Sequence, residues 1–327
     1  MINLEKLLIK LLKIKSEKGN EKEIGNYVFK FLKKEGFKVK KIPVDRNGFD
    51  IIAELGTPKV YFSTHLDTVK GFLPVKETKL RIYGRGACDA KGSLAAMICA
   101  AIKSKKQGLS NFGLIFTVRE EGNFRGIKKL LKSKIKIPFV IVGEPTSLEI
   151  ANAHFGILVL EIIAKGKSSH SSEPEKGINA INKLSKAIEL VKKMKMGKKS
   201  FFSICKIKGG IADNIIPDKA KATITFRISP NDKTDYFKKV RKQLKNLADV
   251  KKKLKLSGVI TKVPKELSFI KKVKTVKYFT ELSYYKKGVV FGPGDIKFAH
   301  SDKEQIQKSE LKKAVEIYKE IIANCNL

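Results

Sequence analysis

The first apolar residues of the chain, in MINLEKLLIKLLKIK, fall at the three- and four-residue spacing of an amphipathic helix. A second helix is predicted near Ile24–Glu35. The rhythm then alternates. GFKVKKIPV and FDIIAELG read as strands, and KVYFSTHLD as a buried strand running into a polar loop. GSLAAMICAAIKSKK predicts a helix rich in small residues, NFGLIFTVREEG another buried strand, FRGIKKLLKSK a helix, and PFVIVGEPTS a further strand ending in a loop. Strands separated by helical stretches predict an α/β layer on a largely parallel sheet flanked by helices.

Beyond Phe155 the pattern changes. GILVLEIIAKG alternates as an edge-type strand, GINAINKLSKAIELVKKMK is an amphipathic helix, and SFFSICKIKGG and KAKATITFRIS are strands. DKTDYFKKVRKQLKNL is a second helix and DVKKKLKLSG a last short strand. The order βαββαβ is the ferredoxin-like plan. The chain then returns to helix, strand and helix through KKVKTVKYFTE, KKGVVFGPGD and SELKKAVEIYKEII. The predicted organisation is an α/β domain formed by residues 1–154 and 261–327, interrupted by an inserted α+β domain over 155–260.

Composition narrows the class. With 42% apolar residues in 327, the chain can bury a sizeable core. No apolar run approaches the roughly 18 residues a membrane span needs, so no membrane partner is expected. The N-terminus lacks the uninterrupted apolar stretch of a signal peptide, which favours a cytoplasmic protein. Cys88, Cys99, Cys205 and Cys325 form neither a CxxC pair nor a regular framework, which argues against a disulfide scaffold or a cysteine zinc site. The net charge of +37 raises nucleic acid as a partner. The basic residues are nearly all Lys and spread over the whole length, so a solvated surface is expected, with no specific nucleic-acid partner.

The acids and histidines are placed less evenly. His65-Leu66-Asp67 follows one predicted strand, and Asp89 lies in the glycine-studded loop YGRGACDAKG just before a helix. Glu120-Glu121 and Glu144 end two further strands, and His300 follows GVVFGPGD at a short remove. In an open α/β sheet, ligands bind beyond the carboxyl ends of the strands. Two imidazoles and several carboxylates there suit zinc or a similar divalent ion. A shared carboxylate would support a metal pair about 3.5–4 Å apart.

STHLDTV, YGRGACDAKG, TVREEG, VGEPTS, SSHSSEPEKGINAI and GPGDIKFAH together resemble the successive motifs of one metallohydrolase family, over nearly the full chain. That family comprises acetylornithine deacetylase, succinyl-diaminopimelate desuccinylase, aminoacylase and a glutamate-releasing carboxypeptidase. The resemblance implies a zinc-exopeptidase-like catalytic domain with an inserted lid and two divalent metal ions, Zn2+ or alternatively Co2+. It implies that His65 and Glu144 hold one metal, Glu121 and His300 the other, and Asp89 both. Asp67 would orient His65, and Glu120 would be the general base. His170 would reach the oxyanion, while Asn214 and Arg227 would contact substrate, Arg227 through an α-carboxylate. A homodimer through the lid is implied as well. His154, the remaining histidine, is read as structural.

Two local strings bear on the substrate. Tyr278-Phe279-Thr280-Glu281 and Gly292-Pro293-Gly294-Asp295-Ile296 resemble the acetylornithine deacetylases, and Glu281 would pair with the δ-ammonium of ornithine. The expectation is therefore an N-acyl amino-acid amidohydrolase acting on N2-acetylornithine. The alternatives are a succinyl-diaminopimelate desuccinylase, a hydrolase of carrier-protein-linked lysine or ornithine, or a metallo-exopeptidase.

Overall fold

A computed structural model describes residues 2–326 of the chain, and it divides into two units. One comprises residues up to Ala153, Thr261–Thr275 and the chain from Thr280 onward; the other comprises His154–Ile260 and Val276–Phe279.

In the first unit, α1 (Leu4–Lys13) buries Leu7, Leu8, Leu11 and Leu12, and the Asn3 side chain accepts the Lys6 amide to cap its start. Next come α2 (Lys22–Lys34), β1 (Lys38–Asp45), β2 (Gly48–Leu55) and β3 (Val60–His65). Helix α3 (Lys91–Lys106) is buried on almost every side from Lys91 to Ile102, as its run of Ala and other small residues demands. After it follow β4 (Phe112–Thr117), α4 (Arg125–Lys132), β5 (Val140–Val142) and β6 (Ile150–His154). The C-terminal part adds β11 (Gly288–Val290) and α7 (Lys308–Asn326). Tyr318 of α7 meets Phe62 and Phe291 edge-on, with ring centroids 5.3 and 5.4 Å apart, and its hydroxyl donates to the Phe291 carbonyl at 2.9 Å.

The sheet is mixed. β4, β3, β5 and β11 lie side by side and parallel, but β1–β2 and β2–β4 are antiparallel, as is β6 against β11. The expectation of a largely parallel sheet thus holds for the centre and not for the edges. The reason is local: β1 and β2 are joined by a two-residue loop, Arg46-Asn47, before Gly48, which turns the chain straight back on itself. The parallel core has the consequence that matters, since the four carboxyl ends of β3, β4, β5 and β11 open on one edge.

The second unit contains β7 (Gly156–Lys165), α5 (Ala180–Lys192), β8 (Phe201–Gly209), β9 (Lys219–Ile228), α6 (Tyr236–Gln243) and β10 (Asp249–Leu256). Its antiparallel sheet runs β8-β9-β7-β10, the ferredoxin-like order. Leu158, Leu160 and Ile162 alternate inward on β7, as do Ala222, Ile224 and Phe226 on β9, and meet Leu184, Ala187 and Val191 of α5. Among the described residues no helix of either unit is long and apolar enough to cross a membrane.

His154 is fully buried here, its Nδ1 2.9 Å from the Phe155 carbonyl and its ring edge-on to Phe279 at 4.9 Å. Burial pushes its pKa down to about 4. The unfolded chain therefore binds a proton, near the ordinary value of about 6.5, that the folded unit refuses until about pH 4. Stability is lost as pH falls through that window, by about 3 kcal/mol at its lower end. Denaturation midpoints are expected to fall less steeply between pH 7 and pH 5 in His154→Phe than in the parent; parallel slopes would contradict this.

Candidate metal centre

His65 is the last residue of β3 and is buried. Its Nδ1 lies 2.8 Å from the main-chain carbonyl of Asp67, a contact that makes Nδ1 the donor and turns Nε2 toward the carboxylates. Nε2 is 3.0 Å from Asp89 Oδ1 and 4.0 Å from Glu144 Oε1. Glu144 lies just beyond β5, and Asp89 just before α3, where the Asp89–Ala90 peptide bond is cis. Asp89 faces a second imidazole with its other oxygen: His300 Nε2 is 3.2 Å from Oδ2 and 2.7 Å from Glu121 Oε1. The two histidine–glutamate pairs thus flank one carboxylate, each addressing a different oxygen of it. His300 has a left-handed backbone, φ 60°, and an exposed ring; His65 is enclosed.

Asp67 meets His65 through its main-chain carbonyl, 2.8 Å from Nδ1, and its carboxylate stands 3.8 Å from the same nitrogen. The carboxylate accepts the Glu120 amide at 3.1 Å on one oxygen and the Glu121 amide at 2.9 Å on the other. Asp67 therefore fixes the turn that carries both glutamates. In Asp67→Asn one of these acceptors becomes an NH2 that faces an N–H. Divalent-metal affinity is expected to fall about 10- to 100-fold with an unchanged far-UV spectrum. Chelator competition measures this, and parental affinity would contradict it.

The turn is also held from its other side. Arg119, with φ 68° and a buried guanidinium, pairs with Glu21 and, at 2.7 Å, with Asp45. Lys91, in the loop motif of Asp89, is buried and donates to the Leu11 and Ile14 carbonyls at 3.0 and 2.8 Å, closing the end of α1. Desolvation brings its pKa down to about 7. Neither role was among the sequence expectations: a basic residue beside acidic motifs gives no sign of a partner remote in sequence. Gly86, at φ 88°, admits the chain between Thr68 and Lys91, where a Cβ would sit 2.8 Å from the Thr68 methyl.

The electrostatics of the cluster are those of a cation site. Desolvation raises the carboxyls of Glu120 and Glu144 well above the ordinary range, and neighbouring carboxylates push the same way. The Asp89 and Glu121 carboxylates hold His300 protonated, with its pKa raised to about 10. Among the described residues no Lys or Arg side chain pairs with Asp89, Glu120, Glu121 or Glu144. Ligand atoms of His65, Asp89 and Glu121 lie within 4.8 Å of one another. Imidazole nitrogens with hard carboxylate oxygens are the donors that zinc and its neighbours accept, so the residues fit divalent metal.

Glu281 sits in a short 3-10 turn, Glu281–Tyr284, 1% exposed. One oxygen accepts the Thr117 hydroxyl at 3.0 Å, and burial lifts its pKa to about 7. The enclosed position is the kind expected of an acidic partner for a substrate ammonium, and the carboxyl bears electrostatically on Glu120 and Glu144. His170, Asn214 and Arg227 belong to the second unit. There the exposed His170 pairs with Ile215 in an isolated bridge, and the Ser171 amide donates to the Asn214 carbonyl at 2.9 Å, so these segments adjoin. Arg227 is half-buried on the face of β9 opposite Phe226. The four cysteines are free, as expected.

A mixed sheet with this edge chemistry defines an α/β metallohydrolase. The sequence profile of peptidase family M20/M25/M40 matches residues 61–324, and the chain belongs to that family. A curated relative named probable carboxypeptidase, from Aspergillus flavus, is 30% identical over 368 residues, spanning 96% of this chain and 88% of the relative. Among solved structures, the fold is shared with the aminopeptidase PepT of Bacillus cereus, at a TM-score of 0.80 and 24% identity over 99% of both chains. It is shared as well with an M20 family metallo-carboxypeptidase of Sulfolobus solfataricus, at a TM-score of 0.81 and 19% identity over 100% of both.

Proposed function

We propose that this chain is a dinuclear metal exopeptidase of the carboxypeptidase class, cleaving the amide bond that precedes a C-terminal amino acid in a short peptide or N-acyl amino acid. The observation that carries the reading is Asp89, whose two oxygens each face a separate histidine–glutamate pair. The name given to the curated relative supports a peptidase over an acetylornithine deacetylase.

In this proposal His65 and Glu144 hold one divalent ion, Glu121 and His300 the second, and Asp89 both, with Zn2+ as the expected metal. Such ions supply Lewis acidity and make water a usable nucleophile near neutrality. The chain's own residues do the rest. Glu120, whose turn Asp67 holds by the amides, accepts the proton of the attacking water. The same carboxyl returns that proton to the departing amine nitrogen, which would otherwise leave poorly. From the second unit, His170 would donate to the developing oxyanion and Asn214 would contact substrate. Arg227 would take the α-carboxylate in a bidentate pair. The second unit would also form a homodimer, and the free thiols suit a cytoplasmic setting.

The test is a panel of steady-state rates on dipeptides, N-acyl amino acids, acetylornithine and succinyl-diaminopimelate. Peptides or acyl amino acids with a free α-carboxylate should be the best substrates, and their amidated forms poor ones. Preference for acetylornithine would return the account to the deacetylase reading. Arg227→Ala is expected to raise KM for the best substrate about 10- to 100-fold, the loss of one charge-assisted pair. An unchanged KM would remove Arg227 from the site.

A further inference from the structure

Glu304 stands four residues past His300, is buried, and is used by neither the metal cluster nor the proposed proton transfers. Its carboxylate has two distinct sets of partners. Oε1 accepts the main-chain amides of Cys88 at 3.2 Å and of Asp89 itself at 3.0 Å. Oε2 accepts Arg85 Nη1 at 2.8 Å. Arg85 spans further: Nη1 also donates to the Ser301 carbonyl at 3.1 Å, and Nε to the Gly71 carbonyl at 2.9 Å. Main chain follows the same route, because the Gly84 amide donates to the Glu304 carbonyl and Tyr83 pairs with Gln305 across a small antiparallel ribbon. The pair therefore touches three loops beside the cluster: the loop that follows His65, the loop of Asp89 and the loop of His300.

An acid placed beside an already anionic cluster needs a reason. Two amide donors alone could be satisfied by a glutamine oxygen, without another buried negative charge. The carboxylate adds a second acceptor oxygen for a guanidinium that reaches two further loops, in a charge-assisted contact with fixed geometry. We propose that the Arg85–Glu304 pair is a positioning device that sets Asp89 and His300 in register, so that the two halves of the metal centre form together. The inference rests on the metal-centre reading above. It makes Glu304 and Arg85 positioning residues that act through Asp89 and His300.

The experiment compares the full-length parent with Glu304→Gln, Arg85→Lys and the double variant. Each is stripped of metal and titrated with Zn2+ against a chromophoric chelator, and its metal-free melting temperature is recorded. Glu304→Gln is expected to bind zinc about 10- to 100-fold more weakly, with a metal-free melting temperature within a few degrees of the parent. Its kcat should fall while KM stays within about twofold. The double variant should bind no more weakly than the worse single variant, because both remove one device. Zinc affinities within about twofold of the parent, additive losses in the double variant, or a lowered metal-free melting temperature with unchanged affinity would each overturn the proposal. If Glu304→Gln does not fold, Arg85→Lys decides alone: weakened zinc binding supports the pair and parental binding sinks it. A parent that binds no zinc would sink the metal-centre reading, and this inference with it.

Discussion

Glu120→Gln is expected to keep its full complement of metal and a KM close to the parent, and to lose about 10^4-fold in kcat. Glutamine preserves the size of the side chain and leaves the two amide bonds to Asp67 intact, because those bonds belong to the backbone of Glu120 and Glu121. It removes only the capacity to take and return a proton. General acid–base catalysis contributes about 10^2- to 10^4-fold, and the upper end applies where one group serves both the attack and the departure of the amine. Metal analysis together with single-turnover rates checks this. Retained turnover with retained metal would assign the base elsewhere; loss of metal would show that Glu120 is itself a ligand.

The second large effect concerns Asp89. Asp89→Asn keeps the shape of the side chain and its Cys88–Asp89 backbone hold, but replaces one oxygen and the charge. The residue then addresses only one of the two histidine–glutamate pairs. Metal content is expected to fall below two equivalents, and kcat/KM by at least about 10^3-fold, the value of several kcal/mol of transition-state stabilisation. Glu144→Gln should be milder in the His300 half of the centre, since the imidazole that Glu144 faces is that of His65. Equal weakening of both halves by Glu144→Gln, with Asp89→Asn harmless, would reverse the assignment of the shared residue.

How much of this was legible in the sequence follows from how local each signal is. The strand ends were readable because His65, Glu120-Glu121 and Glu144 each close a short, predominantly apolar run, and such runs become parallel core strands. The alternation in GILVLEIIAKG and KAKATITFRIS likewise carried the second unit. The antiparallel edge was written in Asn47-Gly48, a hairpin signal that went unused beside the stronger α/β rhythm. Asp67 was recognised as important, yet its partner atoms depend on where the next strand places the Glu120 and Glu121 amides, 53 and 54 residues away. The Arg85–Glu304 pair spans 219 residues and has no periodicity to announce it. Glu281 shows the limit most plainly. Its neighbours in sequence suggest a deacetylase, and its burial depends on a short turn that no pattern of polarity predicts.

The central claim is that one carboxylate organises two metal positions for amide hydrolysis. Its most direct test is titration of the metal-free chain with Zn2+, following bound metal and cleavage of the best panel substrate in the same samples. Two equivalents should bind per chain, and hydrolysis should be absent without metal and reach its plateau at the second equivalent. Saturation at a single equivalent, or hydrolysis that survives complete removal of metal, would contradict the account.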